Sequence, residues 1–211
     1  MPFDYKKEYK DLYQPKQTPS IIEVPEIVFV GVEGKGNPND ENGPYAAAMS
    51  VLYSISYTIK MSHMGSFAID GYFPYVVPPL EGFWWMENGT PGVDYGNKNG
   101  FCWFSMIRLP EFVTQEVFDW AKEESAAKKK LDTSKAQFLR FQEGLCVQCL
   151  HQGPYDDEPA TVEMMEKYVL ENDYFVDLSG TRRHHEIYLS DPRRTASEKL
   201  KTVIRIPIKK R

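Results

Sequence analysis

Ile204-Arg-Ile-Pro207, close to the C-terminus, repeats Ile107-Arg-Leu-Pro110 from the middle of the chain, and Gly153-Pro-Tyr155 repeats Gly43-Pro-Tyr45 in the same order. Either match alone is what chance supplies. Together and in register they indicate two copies of one unit. Outward from Gly43-Pro-Tyr45, the run Ile27-Val-Phe-Val-Gly-Val-Glu33 has the composition of a buried strand and is followed by a Gly/Asn/Pro-rich turn over 34–40. Ala48, Leu52, Ile55 and Ile59 then recur at helical spacing over 44–61. Strand character returns over 71–77 and in Glu81-Gly-Phe-Trp-Trp-Met86, interrupted by Pro78-Pro79, and again over 100–110. The first copy is therefore β-α-β-β. Residues 111–130 form a connecting helix with Val113, Val117, Trp120 and Ala121 on one stripe. The second copy repeats the order: strand at Phe138-Leu-Arg-Phe141 and Leu145-Cys-Val-Gln-Cys-Leu150, helix over 159–171, strands over 185–189 and 202–208.

The predicted fold class is α+β: two tandem β-α-β-β repeats with pseudo-two-fold symmetry, their sheets joined antiparallel, with helices on one side and a ligand cleft on the other. Residues 1–25, polar and carrying Pro15, Pro19 and Pro25, read as an N-terminal arm. Residues 26–211 read as a single domain, with repeat one over about 26–110, the connecting helix over about 111–130 and repeat two over about 136–208.

Composition narrows the function. A chain of 211 residues with 42% hydrophobic content supports a substantial core, and 13 Tyr, 12 Phe and 4 Trp exceed what that core needs. The surplus belongs to a surface, an interface or a ligand cavity. A net charge of -5 argues against nucleic acid, and the basic residues gathered at Arg193-Arg194, Lys199, Lys201 and Lys209-Lys210-Arg211 read as a solvated tail. No apolar run reaches a membrane span and the N-terminus has no signal-peptide core, so neither a membrane partner nor export is expected; the expected location is the cytoplasm. Three cysteines suit a reducing compartment, and Cys146 and Cys149, three apart on a strand, point to opposite faces. With no second cysteine pair, no phosphate-cradling glycine loop and no Ser/His/Asp triad, no metal and no cofactor are expected.

The residues that carry chemistry lie in His184-His-Glu-Ile-Tyr-Leu-Ser-Asp-Pro192. On an extended strand His184, Glu186 and Tyr188 share one face and His185, Ile187 and Leu189 the other. The polar row either pairs with Arg182 or Arg183 at a wet sheet edge or lines a pocket. In repeat one the corresponding strand carries Trp84 and Trp85, which alternate faces, so one of them faces the cleft and the other the core. An acid among aromatic rings receives a flat or cationic organic molecule by stacking, cation–π attraction and ion pairing. Such surroundings also tune a carboxylate as a base. Tyr155, where the second helix begins, either staples that turn to the core or donates a hydrogen bond to a ligand carbonyl.

His151-Gln-Gly-Pro-Tyr155, Met164-Met-Glu-Lys-Tyr168, Glu186-Ile-Tyr-Leu-Ser-Asp-Pro192, Thr195-Ala-Ser-Glu-Lys-Leu200 and Thr202-Val-Ile-Arg-Ile-Pro207 resemble the GyrI-like small-molecule-binding family over roughly residues 27–208. Tyr75-Val-Val-Pro-Pro79 and Glu81-Gly-Phe-Trp-Trp85 resemble its stand-alone bacterial branch. The resemblance implies a cleft for hydrophobic, often cationic or polycyclic compounds with Glu186 at its base. It also implies an activity, since some stand-alone members resemble hydrolases that open the strained cyclopropane of DNA-alkylating natural products. On that reading Glu186 and Tyr155 are catalytic, and Trp84, Trp85, Tyr188 and His184 bind the ligand. The alternatives are a non-catalytic sensor or sequestering protein using the same cleft, and a module that inhibits a macromolecular partner.

Overall fold

Along β1 (Ser20–Lys35), Ile27 and Phe29 belong to one buried apolar cluster and Val30 and Val32 to another, so this strand is covered on both faces. The computed structural model describes residues 1–211. After β1 come α-helix Pro44–Lys60, β2 (Leu80–Met86), β3 (Phe101–Arg108), α-helix Gln115–Lys129 and β4 (Ala136–Gln152). The chain ends with α-helix Glu158–Glu171, β5 (Tyr174–Val176), β6 (His184–Tyr188) and β7 (Lys201–Lys210). Two four-residue helices, α1 (Tyr5–Glu8) and α2 (Lys10–Tyr13), precede β1, which makes the three long helices α3, α4 and α5 in chain order.

The strands pair in the order β4-β1-β3-β2-β6-β7, antiparallel throughout, and β7 pairs with β4 to close the ring. β5 adds to the far end of β7. Exchanging β1, β2 and β3 for β4, β6 and β7 maps this pairing pattern onto itself, with α4 between the halves and β5 an extra strand in the second. The sheet is joined and antiparallel, as the sequence predicts, and it also curls into a barrel. Closure removes the unpaired edges that two half-sheets would expose. The long ladder between β1 and β4 bends where Val24 faces Gly144, whose φ of 73° suits glycine, beside Pro25, which has no N–H for the ladder. Segment 71–77 does not join the sheet. Its one ladder contact is a parallel bridge from Tyr75 to Phe3.

Successive side chains alternate between the inside and outside of the barrel. Outside, α3 and α4 cover β1, β2 and β3 through Leu52, Ile55, Phe118, Trp103 and Ile107, while α5 covers β4 and β7 through Met165, Val169, Val147 and Ile204. Inside lie Phe29, Phe83, Met106, Ile187 and Val203. Cys146 belongs to the interior and Cys149 to the layer under α5, the opposite faces that their spacing predicts.

The interior also holds charge. His185 stands between Glu81 (Nε2 to Oε2, 3.1 Å) and Glu143 (Nδ1 to Oε2, 3.0 Å), and Arg205 donates to Glu143 at 3.1 Å, all four side chains being buried. The N-terminal segment seals this end of the barrel. Tyr13 donates to Glu81 at 3.2 Å, Arg205 to the Leu12 carbonyl at 3.0 Å, and Gln148 to the Asp11 carbonyl at 2.7 Å. Arg108 lies over the rings of Tyr5 and Tyr9. The expected arm over 1–25 is therefore corrected: residues 5–13 are a docked plug with Tyr5, Leu12 and Tyr13 buried, and strand pairing starts at Ser20. Local composition marks these residues as polar, while their burial depends on polar partners supplied by β2, β4 and β7.

Candidate functional site

His184, Glu186 and Tyr188 occupy the outer face of β6, and His185 and Ile187 the barrel interior. The site residues thus lie on the helix-bearing face, between the layer under α3 and the layer under α5. The sequence reading sets the cleft on the side opposite the helices, whereas this polar row stands on the helix-bearing side. Closure of the sheet packs most of its other side with apolar and charged side chains, apart from the cavity at the barrel mouth, and sets the polar row of β6 in the seam between the two helical layers.

At the base of this seam Glu186, 5% exposed, is gripped on both oxygens. Tyr188 donates to Oε2 at 2.7 Å, and His184 Nε2 lies 3.1 Å from Oε1. Trp84 in turn donates its indole N–H to the Tyr188 hydroxyl at 2.8 Å. Gly82 permits this arrangement: it sits directly across the ladder from Glu186, and a Cβ there would fall 2.9 Å from the Trp84 indole nitrogen. Tyr45 from α3 leans on Trp84 with ring centroids 5.6 Å apart, and Tyr155 meets Tyr188 edge to face at 5.7 Å. The result is a carboxylate walled by aromatic rings.

A second acid completes the site. Glu158, the first residue of α5, has no solvent exposure. Its Oε2 accepts a 2.8 Å hydrogen bond from Tyr95, on the 87–100 loop between β2 and β3, and its Oε1 has no hydrogen-bond partner. Donor atoms of Glu158, His184 and Glu186 all lie within 4.8 Å of one another. Lys98 on the same loop pairs with Asp156 at 2.6 Å, so two contacts hold the loop over the start of α5.

Electrostatics separates the two acids. Burial, reinforced by the adjacent charge of Glu186, pushes the Glu158 carboxyl well above the usual range. Burial acts on Glu186 in the same direction, but the hydrogen bond and charge of His184, with the Tyr188 hydroxyl, outweigh it and hold Glu186 below the usual range. The two acids are pushed in opposite directions, the pattern that separates acid from base roles in paired carboxylates. Burial also pushes the Tyr155 phenol up to about 12, so it remains a donor at neutral pH.

The sequence singles out two tryptophans and the structure parts them. Trp84 joins Glu186. Trp85 faces the barrel mouth, where Arg183 lies 3.3 Å above its ring and a cavity of about 130 Å³ is bounded by Phe83, Phe104, Leu139 and Phe141. Arg182, the other candidate partner for Glu186, is engaged with Asp177 at 2.6 Å and with the Leu145 carbonyl. Glu158, Tyr95 and Tyr45 escape a reading of the sequence alone. Glu158 ends the acidic run Asp156-Asp157-Glu158, which looks solvated, and the one available signal is its position one helical turn beyond Tyr155.

The GyrI-like small molecule binding domain family matches residues 17–209. The chain belongs to this family. Crystal structures of two stand-alone Listeria innocua proteins share its fold over nearly their whole length. One, described as a hydrolase, is 45% identical with a TM-score of 0.89, covering 98% of this chain and 100% of that one. The other, described as an uncharacterized conserved protein, is 46% identical with a TM-score of 0.91 over the same shares. The C-terminal domain of EcmrR is similar in fold alone, with 14% identity, a TM-score of 0.53 and coverage of 92% of this chain and 98% of that one. No curated protein matches. This GyrI-like chain is thus a small-molecule-binding domain, and none of its helices is long and apolar enough to cross a membrane.

An aromatic dye that binds the seam should distinguish the two tryptophans. Trp84→Phe should weaken it by roughly two- to tenfold, the value of one aromatic contact. Trp85→Phe, at the barrel mouth, should leave its dissociation constant unchanged in the same fluorescence titration. Equal losses would place the dye elsewhere.

Proposed function

We propose that this GyrI-like protein takes up a planar, hydrophobic, electrophilic small molecule in the seam between α3 and α5 and hydrolyses it, strained cyclopropane-bearing alkylators being the substrate class. The observation that carries this reading is Glu186, a buried carboxyl group with both oxygens oriented by neighbouring side chains and aromatic rings around it. A base so placed acts on a water held between it and the substrate. Glu186 takes one proton from that water as its oxygen bonds to the electrophilic ring carbon. The strained C–C bond breaks, and its electron pair passes to a conjugated carbonyl oxygen. Tyr155 is the phenol left to donate to that oxygen, because the Tyr188 hydroxyl is committed to Glu186. The Listeria innocua protein described as a hydrolase, 45% identical over nearly the whole chain, supports a catalytic reading.

The second reading is a binder without turnover. It is favoured by the same negative charge among aromatic rings, which suits a cationic dye. Incubation with a cyclopropane-bearing alkylator and with a cationic polycyclic dye, followed by mass spectrometry, tests both. Hydrolysis gives a product one water heavier than the alkylator, formed in excess over protein. Tight dye binding with unconsumed alkylator would leave only the binder.

A further inference from the structure

We infer that Glu158 holds the one proton of a carboxyl pair with Glu186 and serves as the acid of the reaction, returning a proton to the oxygen that receives the electron pair. The acid role rests on the hydrolytic reading above; the location of the proton does not. Glu158 has no solvent exposure, its Oε2 is taken by Tyr95, its Oε1 has no hydrogen-bond partner, and one of its oxygens lies within 4.8 Å of donor atoms of Glu186 and His184. A second ionised carboxylate in that position would be buried beside the charge of Glu186. A carboxyl proton removes the repulsion and gives the orphaned oxygen a partner in Glu186.

The groups around Glu158 include two neutral donors that favour its ionised form, Tyr95 and Thr202, and no cation free of another acid. Glu186, His184 and Tyr188 face it from β6, Thr202 from β7, Tyr95 from the 87–100 loop, and Tyr155 and Asp156 from the turn before α5. The lysine nearby, Lys98, pairs with Asp156, and His184 is already engaged with Glu186. Burial and the charge of Glu186 both raise the Glu158 carboxyl, in agreement with this geometry.

Two protons then balance over the cycle. Glu186 accepts one from water as the carbon–oxygen bond forms. Glu158 supplies one to the carbonyl oxygen as the ring opens, directly or through the Tyr155 hydroxyl, and the proton on Glu186 passes to Glu158 to restore the resting pair. The sum is addition of one water, with no oxidant or further reactant. Glu158 also explains the loop contact: Tyr95 fixes one oxygen and leaves the other to the reaction.

Infrared spectroscopy of the unliganded protein tests the location of the proton, and rate measurements across pH test its use. The wild type should show the C=O stretch of a protonated carboxyl at neutral pH. Glu158→Gln should remove that band, and Glu186→Gln should keep it. In turnover, Glu158→Gln should lower the rate by about 10²-fold and abolish the fall in rate on the alkaline side. Tyr95→Phe, which removes a hydrogen bond that favours ionised Glu158, should move that alkaline fall to higher pH. Absence of the band in the wild type, or its survival in Glu158→Gln, would overturn the inference. A Glu158→Gln variant with full rate and an unchanged alkaline limb would overturn the acid role. A wild type that shows the band but turns nothing over would refute the hydrolytic reading and the acid role together, while leaving the proton on Glu158.

Discussion

Glu186→Gln should lower turnover of a neutral electrophilic substrate by roughly 10²–10⁴-fold while leaving its binding nearly intact. The glutamine keeps the shape of the side chain and an oxygen that still accepts from Tyr188 or His184, but it cannot take a proton from water. Because Glu186 is buried, bulk buffer does not substitute readily for the missing base. Each competing role gives a different result in the same pair of measurements. If the carboxylate is only a counter-charge, the substitution weakens a cationic dye, spares a neutral ligand and has no turnover to remove. An unchanged turnover rate would take Glu186 out of the reaction.

Arg205→Met should destabilise the fold by about 3–5 kcal/mol, read as a lower urea midpoint with an unchanged slope. Arg205 is buried inside the barrel, where it neutralises Glu143 and donates to Gln148 and the Leu12 carbonyl. Methionine fills the volume but leaves Glu143 and Glu81 to share His185. Adding Glu143→Gln in the same background should recover part of the loss, because it removes the uncompensated charge. A cost below 1 kcal/mol for Arg205→Met would show that the pair is hydrated and not sealed by the plug. The same network sets the pH range of maximal stability. Despite burial, the charges of His185 and Arg205 hold Glu143 down to about 2, so its contribution is complete above the ordinary carboxylate value of 4.5 and is lost as pH falls toward 2. His185 is raised from 6.5, because Glu143 and Glu81 outweigh the opposing effect of burial. Its contribution is complete below 6.5 and disappears as pH rises through the folded-state value. The network should therefore stabilise the fold most between about pH 4.5 and 6.5, declining on both sides.

The first prediction lies on β6 and the second on β7, where Arg205 faces His185 across the ladder, and the two faces of β6 show what each level of description contributes. Its alternation was legible from residue order: His184, Glu186 and Tyr188 on one face, His185 and Ile187 on the other, because side-chain direction in a strand has a period of two. The same logic placed Cys146 and Cys149 apart and put only one of Trp84 and Trp85 on the face of Glu186. The two β-α-β-β units and the helix between them were also readable, since apolar periodicity, turn residues and the paired Gly-Pro-Tyr and Ile-Arg-x-Pro segments are local properties.

Tertiary structure alone decided which side of the sheet was open. Closure of β4 on β7 is a pairing between distant segments, and it turned one face into a barrel interior and set the polar row of β6 in the seam between α3 and α5. It also joined Trp84 and not Trp85 to the Tyr188–Glu186 hydrogen bonds, buried Glu158 out of an acidic run that reads as solvated, and converted a polar, proline-bearing leader into a plug through Tyr13, Leu12 and Asp11. These outcomes share a physical reason. The direction of a side chain along a strand follows from its own backbone, whereas the burial of a carboxylate, the state of its proton and the partner of a leader segment depend on groups brought near by strands and loops far away in the chain.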